Sequence, residues 1–358
     1  MDLSGPDGPA RGRRYDRSVV ALRTRIRRRP RRALVLSGGG NLGALQVGML
    51  RALVEAGISA DVVLGCSIGA VNGAAFARSP DEEGIERLVA FWTRPESGER
   101  VMPGSRLPPL VQLLRKGESL HSPDGLRSRL EWLYGPDADF EDLAVPFQCV
   151  AAEVETAAET WFDSGPLVPP IMASSSLPAV YPATTIDGRR YLDGGVVNNV
   201  PVARAVELGC REIIVLHVGL HGRPDARIRR PLDAALEAYW VARNARFAND
   251  LMNLPAGIEA IILPPGERPD IRYDDFSQSA ELIARGHRNA AAFLADRARE
   301  LDRRGTAGAL DRLRDGVLSR RWVADARRAA VDPGGAVLRT EGEPEPPAEL
   351  DDPPDPLP

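Results

Sequence analysis

The sequence predicts a three-layer α/β/α fold built on a mostly parallel central sheet. Short apolar runs such as ALVLS at 33–37 and EIIVLHV at 212–218 alternate with helical periodicities along most of the chain, the pattern of strands joined by crossover helices. Two tight glycine turns, SGGGNLG at 37–43 and GCSIG at 65–69, each follow an apolar run and open a helical stretch. A length of 358 residues, 43% apolar and 27% charged, is enough to bury a large core.

Taken in order, 33–37 reads as a buried strand. A helix follows at 43–56, with Leu45, Met49, Leu50 and Leu53 on one face and Gly57 past its end. A second strand is expected at 61–64 and a small-residue helix at 70–78, able to lie close to the sheet. Residues 88–114 look helical, interrupted by a Pro/Gly-rich stretch at 95–109 that reads as a mobile cover, and 125–133 is a further helix. Residues 147–154 and 159–163 alternate like a strand pair. IMASSSLPAVYPATTI reads as a short helix broken by Pro178 and Pro182, with Ser174, Ser175 and Ser176 as its caps. RRYLDGGVVNNVPV reads as a strand ending in a turn at Asp193, Gly194 and Gly195. Helices at 201–208, 231–253 and 277–300 and strands at 212–218 and 258–263 complete the pattern, with no internal repeat.

Charge is unevenly spread. The net charge of −4 excludes a polyanionic partner such as nucleic acid for the body of the chain, yet arginines cluster at 11–32 and acidic and proline residues at 332–358. The division is therefore a basic, disordered arm at 1–30, one domain at 31–331 and an acidic, disordered tail at 332–358. Lys116 is the only lysine, so the arginine excess reflects a compositional bias before it reflects chemistry; beyond that bias, the arm is suited to peripheral contact with an anionic membrane. Asp2, Asp7 and Asp16 fit a mitochondrial presequence poorly. No apolar run approaches the ~20 residues that span a bilayer, so a cytoplasmic location is expected. Cys66, Cys149 and Cys210 are too few and scattered for a disulfide framework or a metal site, and are expected reduced and buried.

The chemistry is concentrated in the two glycine turns. In a GxSxG turn a strand reverses into a helix so sharply that only Gly65 and Gly69 fit beside Ser67, leaving its hydroxyl exposed as a nucleophile. The loop of Gly38, Gly39 and Gly40 can turn backbone amides toward developing negative charge, forming an oxyanion hole. Gly38, Gly40 and Gly43 also satisfy the dinucleotide pattern GxGxxG, but Gly65, Cys66 and Ser67 stand where that pattern needs a ribose-binding acid. Of four histidines, His121 and His287 fall in helical or polar segments and His217 lies within a strand; His221 is the triad candidate if the base is an imidazole.

The segments SGGGNLG, GCSIGA and LDGGVVNNVP, with ASSSLPAVYP as a fourth block, resemble the patatin-like phospholipase family in order and spacing, over about residues 32–295. The resemblance implies a Ser/Asp dyad with Ser67 as nucleophile and Asp193 as base, and the amides of Gly38, Gly39 and Gly40 as oxyanion donors. Gly194 and Gly195 would let the carboxylate approach, and Asn198, Asn199 and Pro201 would fix the loop behind it. One departure stands out: the family's basic residue before the last glycine of the loop is Leu42 here, which removes a charge but no backbone donor. The implied activity is hydrolysis of fatty-acyl esters of lipids or phospholipids. It needs no metal or cofactor, and DADFED at 137–142 lacks the glycine of a calcium loop. Leu42, Ile68, Leu177, Val180 and Tyr181 are candidate pocket walls. The alternatives are a His-dependent esterase and a catalytically silent lipid- or nucleotide-binding protein of the same fold.

Overall fold

The computed structural model of the protein describes residues 31–94, 122–178, 180–218, 231–267, 269, 271, 275–307 and 335–340. Among them nine strands form one sheet: β1 (Arg32–Leu36), β2 (Val62–Cys66), β3 (Phe147–Glu153), β4 (Ala158–Phe162), β5 (Thr184–Ile186), β6 (Arg189–Asp193), β7 (Glu212–Leu216), β8 (Glu259–Ile262) and β9 (Ala336–Arg339). Their order is β5-β6-β3-β2-β1-β7-β8-β9, with β4 also paired to β3. The five strands from β3 through β8 in that order are mutually parallel, and β4, β5, β6 and β9 pair antiparallel.

Alternation along the strands sorts side chains to two cores. Leu34, Leu36, Val63, Ile214 and Leu216 face one core, built with helices α1 (Gly43–Glu55), α2 (Ile68–Arg78), α3 (Glu82–Thr93), α4 (Asp124–Tyr134), α5 (Val168–Ser174) and α8 (Ser279–Ala307). Ala33, Val35, Val62, Leu64, Ile213 and Val215 face the other, covered by α6 (Val202–Glu207) and α7 (Pro231–Met252) through Val202, Ala205, Phe247 and Leu251. Buried on both faces, the central strands read as continuous apolar runs, the sequence signature of a parallel sheet.

Register on β3 decides where chemistry can occur. β4 covers Cys149 to Glu153 along one edge of β3, so the two other partners of β3 must share the opposite edge. β2 takes the first half of that edge, with Cys66 opposite Val150, and β6 takes the second half, with Asp193 opposite Ala151. The two strands run toward each other and meet end to end. Residues 127 positions apart in the chain are thereby set against consecutive residues of one strand.

Several boundaries differ from expectation for local reasons. β2 starts after residue 61 because the Asp61 carboxylate accepts the amides of Arg31 and Arg32, at 2.8 and 2.9 Å. The helix expected at 88–114 is α3, which starts earlier because the Asp81 side chain caps the Gly84 amide at 3.0 Å; residues 95–121, with the expected mobile cover, lie outside the described residues. The segment broken by Pro178 and Pro182 returns as strand β5. The tail assignment at 332–358 is corrected in part: Ala336–Arg339 adds β9 to the edge of β8, and the Thr340 hydroxyl caps the Pro255 carbonyl at 2.6 Å. Proline and acidic content on either side hides this short β-branched and aliphatic run. The arm at 1–30 lies outside the described residues.

Candidate active site

Ser67 sits at the junction of β2 and α2 with φ 53° and ψ −124°, a conformation that L side chains seldom adopt. The turn closes because its flanks have no side chains. A Cβ on Gly65 would stand 2.6 Å from Ala70 Cα, and one on Gly69 would collide with the Leu36 carbonyl of the neighbouring strand. The elbow is held from outside as well: the Ser67 amide donates to Ser174 Oγ at 2.9 Å, and α2 begins with the Ala70 and Val71 amides donating to the Ser67 carbonyl. Ser174, expected as a helix cap, is thus a support for the nucleophile turn; a hydroxyl that serves a residue 107 positions away leaves no local signature. Ser176 stays local, bonded to the Met172 carbonyl and to Thr184.

The structure brings Ser67 and Asp193 together. Ser67 Oγ donates to Asp193 Oδ2 at 2.6 Å, and the Gly195 amide donates to Asp193 Oδ1 at 2.7 Å, which fixes the carboxylate plane. Asp193 is only 2% exposed, and burial pushes its carboxyl up to about 6 despite the hydrogen bonds from Ser67 and Gly195 and the charge of Arg243. A carboxyl titrating there is matched to taking and returning a proton near neutral pH.

The glycine loop lies against the serine. A Cβ on Gly38 would stand 3.2 Å from Ser67 Cβ and 2.5 Å from Asn199 Oδ1, so this position must be bare for the loop to approach. The amides of the three glycines expected as donors differ in their partners. The Gly38 amide is committed to the Asn199 carbonyl at 3.2 Å, while those of Gly39 and Gly40 carry no hydrogen bond among the described residues. Gly39 is half-buried and Gly40 exposed with φ 58°. Asn199 also returns its side-chain amide to the Gly38 carbonyl at 3.4 Å, joining this loop to the loop behind Asp193.

A buried polar core sets the loop ends. Gln46 donates to the carbonyls of Ser37 (2.8 Å) and Leu216 (3.0 Å) and accepts from Asn72 (2.9 Å); Asn72 also donates to the Gly43 carbonyl (2.9 Å) and accepts from Trp92 (3.0 Å). Every member of this chain is satisfied, which makes the framework under the loop rigid.

Other candidates fall elsewhere. His217 lies one residue beyond β7, fully buried with its ring 4.9 Å from that of Phe247, and His221 and His121 are outside the described residues. His287 pairs with Glu55 at 2.6 Å. The three cysteines are free and buried, and burial raises the Cys66 thiol well above its ordinary range. Among the described residues no His/Cys/Asp/Glu cluster could hold a metal ion, and no helix is long and apolar enough to cross a membrane. Leu42, Val180 and Tyr181 are buried and Ile68 and Leu177 half-buried; Val196, 45% exposed, stands beside the Asp193 turn. Tyr239 and Arg243 of α7 reach this turn and had no signal in the sequence beyond helical spacing.

Residues 34–206 match the family model for Patatin-like phospholipase. Over 211 residues the chain is 32% identical to patatin-like phospholipase domain-containing protein 7 of Rattus norvegicus, a match covering 58% of this chain and 15% of that protein. Over 240 residues it is 30% identical to an uncharacterized NTE family protein of Mycobacterium tuberculosis, covering 66% of this chain and 62% of that one. The chain thus spans a small part of the longer relative and about three fifths of the shorter. Among solved structures it is similar to VipD from Legionella pneumophila (TM-score 0.43, 14% identity, 75% of this chain and 67% of that one). It is also similar to ExoU from Pseudomonas aeruginosa (TM-score 0.39, 16% identity, 75% and 53%). The glycine loop, the Ser67 turn and the Asp193 strand all lie inside the segment, residues 34–206, that matches the Patatin-like phospholipase model, and it is this segment that the chain shares with that family.

Proposed function

We propose that the protein is a serine acyl hydrolase that cleaves fatty-acyl esters of lipids through an acyl-enzyme on Ser67. The observation that carries this reading is the 2.6 Å hydrogen bond from Ser67 Oγ to a buried carboxylate at the tip of a strained elbow. As Ser67 Oγ attacks the ester carbonyl carbon, its proton passes to Asp193 Oδ2. The carbonyl oxygen becomes an oxyanion, received by the amides of Gly39 and Gly40, each such donor being worth about 3 kcal/mol. Collapse breaks the bond to the leaving alcohol, which takes the proton from Asp193. Water then gives a proton to Asp193, attacks the acyl-serine, and releases the fatty acid as the proton returns to Ser67 Oγ.

Among the described residues a carboxylate, and no imidazole, accepts the Ser67 hydroxyl, which favours the dyad over an esterase whose base is His217 or His287. The family match and the apolar side chains about the turns support a lipid ester as substrate. Residues 1–30 are the segment we assign to contact with anionic membrane; their deletion should weaken pelleting with anionic vesicles.

The test is a lipid-ester panel assayed with purified protein beside fluorophosphonate labelling. Wild type should turn over at least one lipid ester and label at Ser67. Ser67→Ala should do neither, and Asp193→Ala should lose turnover with its fold intact by circular dichroism. Replacement of His217 should leave turnover in place. Full activity in the Ser67→Ala or Asp193→Ala protein would overturn the proposal.

A further inference from the structure

An acid as buried as Asp193 tends to keep its proton, and a protonated carboxyl cannot take one from serine. The groups around it therefore decide whether it can act. From β2 comes Cys66, whose Sγ lies 4.0 Å from Oδ1 and stays a neutral thiol; from the elbow comes the Ser67 hydroxyl; from the following turn comes the Gly195 amide. Among the described residues the remaining titratable and charged groups, Tyr239 and Arg243, come from α7, one turn apart and on one side of the helix.

Their placement is specific. A Cβ on Gly195 would collide with the Tyr239 phenol oxygen and would stand 3.0 Å from Asp193 Oδ1, so the phenol and the carboxylate crowd one point that only glycine leaves open. The Arg243 guanidinium lies 5.5 Å from the centroid of the Tyr239 ring, and its buried Nε has no partner among the described residues. α7 is pinned over this turn one step further on. Arg246 bonds Glu159 (2.9 Å), Asp250 (3.1 Å) and the Val197 carbonyl (3.3 Å), and Glu159 accepts from Asn198 (3.1 Å). The glycine loop itself brings Asn41 and Leu42, neither of them charged.

We propose that Tyr239 and Arg243 are positioning residues of the dyad: α7 holds a guanidinium behind Asp193, seated on the Tyr239 phenol, and so keeps the buried carboxylate ionised and facing Ser67. This rests on Asp193 being the base. The Arg243 charge lowers the carboxyl against the larger upward push of burial, the direction such a role requires.

The experiment is the pH profile of kcat/KM on a lipid ester, and of the rate of fluorophosphonate labelling at Ser67, for wild type, Arg243→Met, Arg243→Lys and Tyr239→Phe. Removing the charge should move the rising limb of the Arg243→Met profile up by roughly one pH, so that the rate near pH 6 falls several-fold while KM and the rate at high pH stay close to wild type. Arg243→Lys should keep the wild-type limb, and Tyr239→Phe should displace it upward by less. A merely structural role would lower the rate equally at every pH. If Arg243→Met does not fold, Tyr239→Phe and Arg243→Lys decide the question by the same displacement and its absence. Profiles that overlay wild type in Arg243→Met and Tyr239→Phe overturn the inference and leave the dyad standing. Wild-type turnover in Asp193→Asn, run alongside, sinks the dyad itself.

Discussion

Replacing Asp193 by asparagine should kill the protein's activity and make it more stable. Burial lifts this carboxyl from its ordinary 3.8 to about 6, so the fold prefers the protonated form and ionisation works against folding. At roughly 1.4 kcal/mol for each tenfold difference in proton affinity, the penalty at neutral pH is about 3 kcal/mol. The sign follows from which state binds the proton. Below pH 3.8 both states hold it and there is no penalty. Between 3.8 and 6 the unfolded chain releases it first, so the fold loses stability as pH rises, and above 6 the loss is constant. Asparagine does not titrate and can still accept the Gly195 amide that now bonds Oδ1. Urea unfolding at pH 7.5 should therefore find Asp193→Asn more stable than wild type by about 3 kcal/mol, narrowing to about 1 kcal/mol at pH 4.5. A variant less stable than wild type at pH 7.5, or an advantage that ignores pH, would refute the claim that burial sets this carboxyl's affinity.

With Asp193 as the proposed base, wild-type kcat/KM should rise about tenfold from pH 5 to pH 7 with a midpoint near 6, since the carboxyl acts only when ionised; a flat profile speaks against Asp193 in that role. Ser174→Ala removes the acceptor of the Ser67 amide and should lower stability by about 1–3 kcal/mol and slow labelling of Ser67, read by denaturation and fluorophosphonate kinetics. Gly69→Ala drives a methyl group into the Leu36 carbonyl; soluble protein should label roughly a hundredfold more slowly, and wild-type labelling would show that the elbow tolerates a side chain there. Gln46→Leu strands the Ser37 and Leu216 carbonyls inside the core and should destabilise by several kcal/mol, with kcat falling more than KM changes.

Where the sequence was legible, the causes were local. The elbow at Ser67 needs Gly65 and Gly69 because of atoms within its own turn and on the adjacent strand β1, and strand-turn-helix contexts on both sides of it mark the place. β1, α1, β7 and β8 fall within a residue or two of expectation because their apolar periods are set by burial on fixed faces. Asp193 could be reached only by resemblance, since nothing in the spacing of DGG says which edge of β3 its strand will join. Ser174, Tyr239 and Arg243 were illegible for the same reason: each acts on a residue far along the chain, and a hydroxyl, a phenol or an arginine on a helix is common. The glycine loop was found as a loop, but the commitment of the Gly38 amide to Asn199 depends on a contact across 161 residues.

The shared edge of β3 also has a mechanical meaning. Asp193 and Cys66, the residue that precedes Ser67, hang from consecutive rungs of one hydrogen-bond ladder, so bending or twisting of the sheet carries Ser67 and Asp193 together and leaves their spacing nearly unchanged. The glycine loop and α7 are joined to this pair by side-chain contacts instead, through Asn199 and through Tyr239 and Arg246. Thermal inactivation that precedes unfolding should therefore begin with these attachments, in a molecule where Ser67 and Asp193 are still correctly spaced.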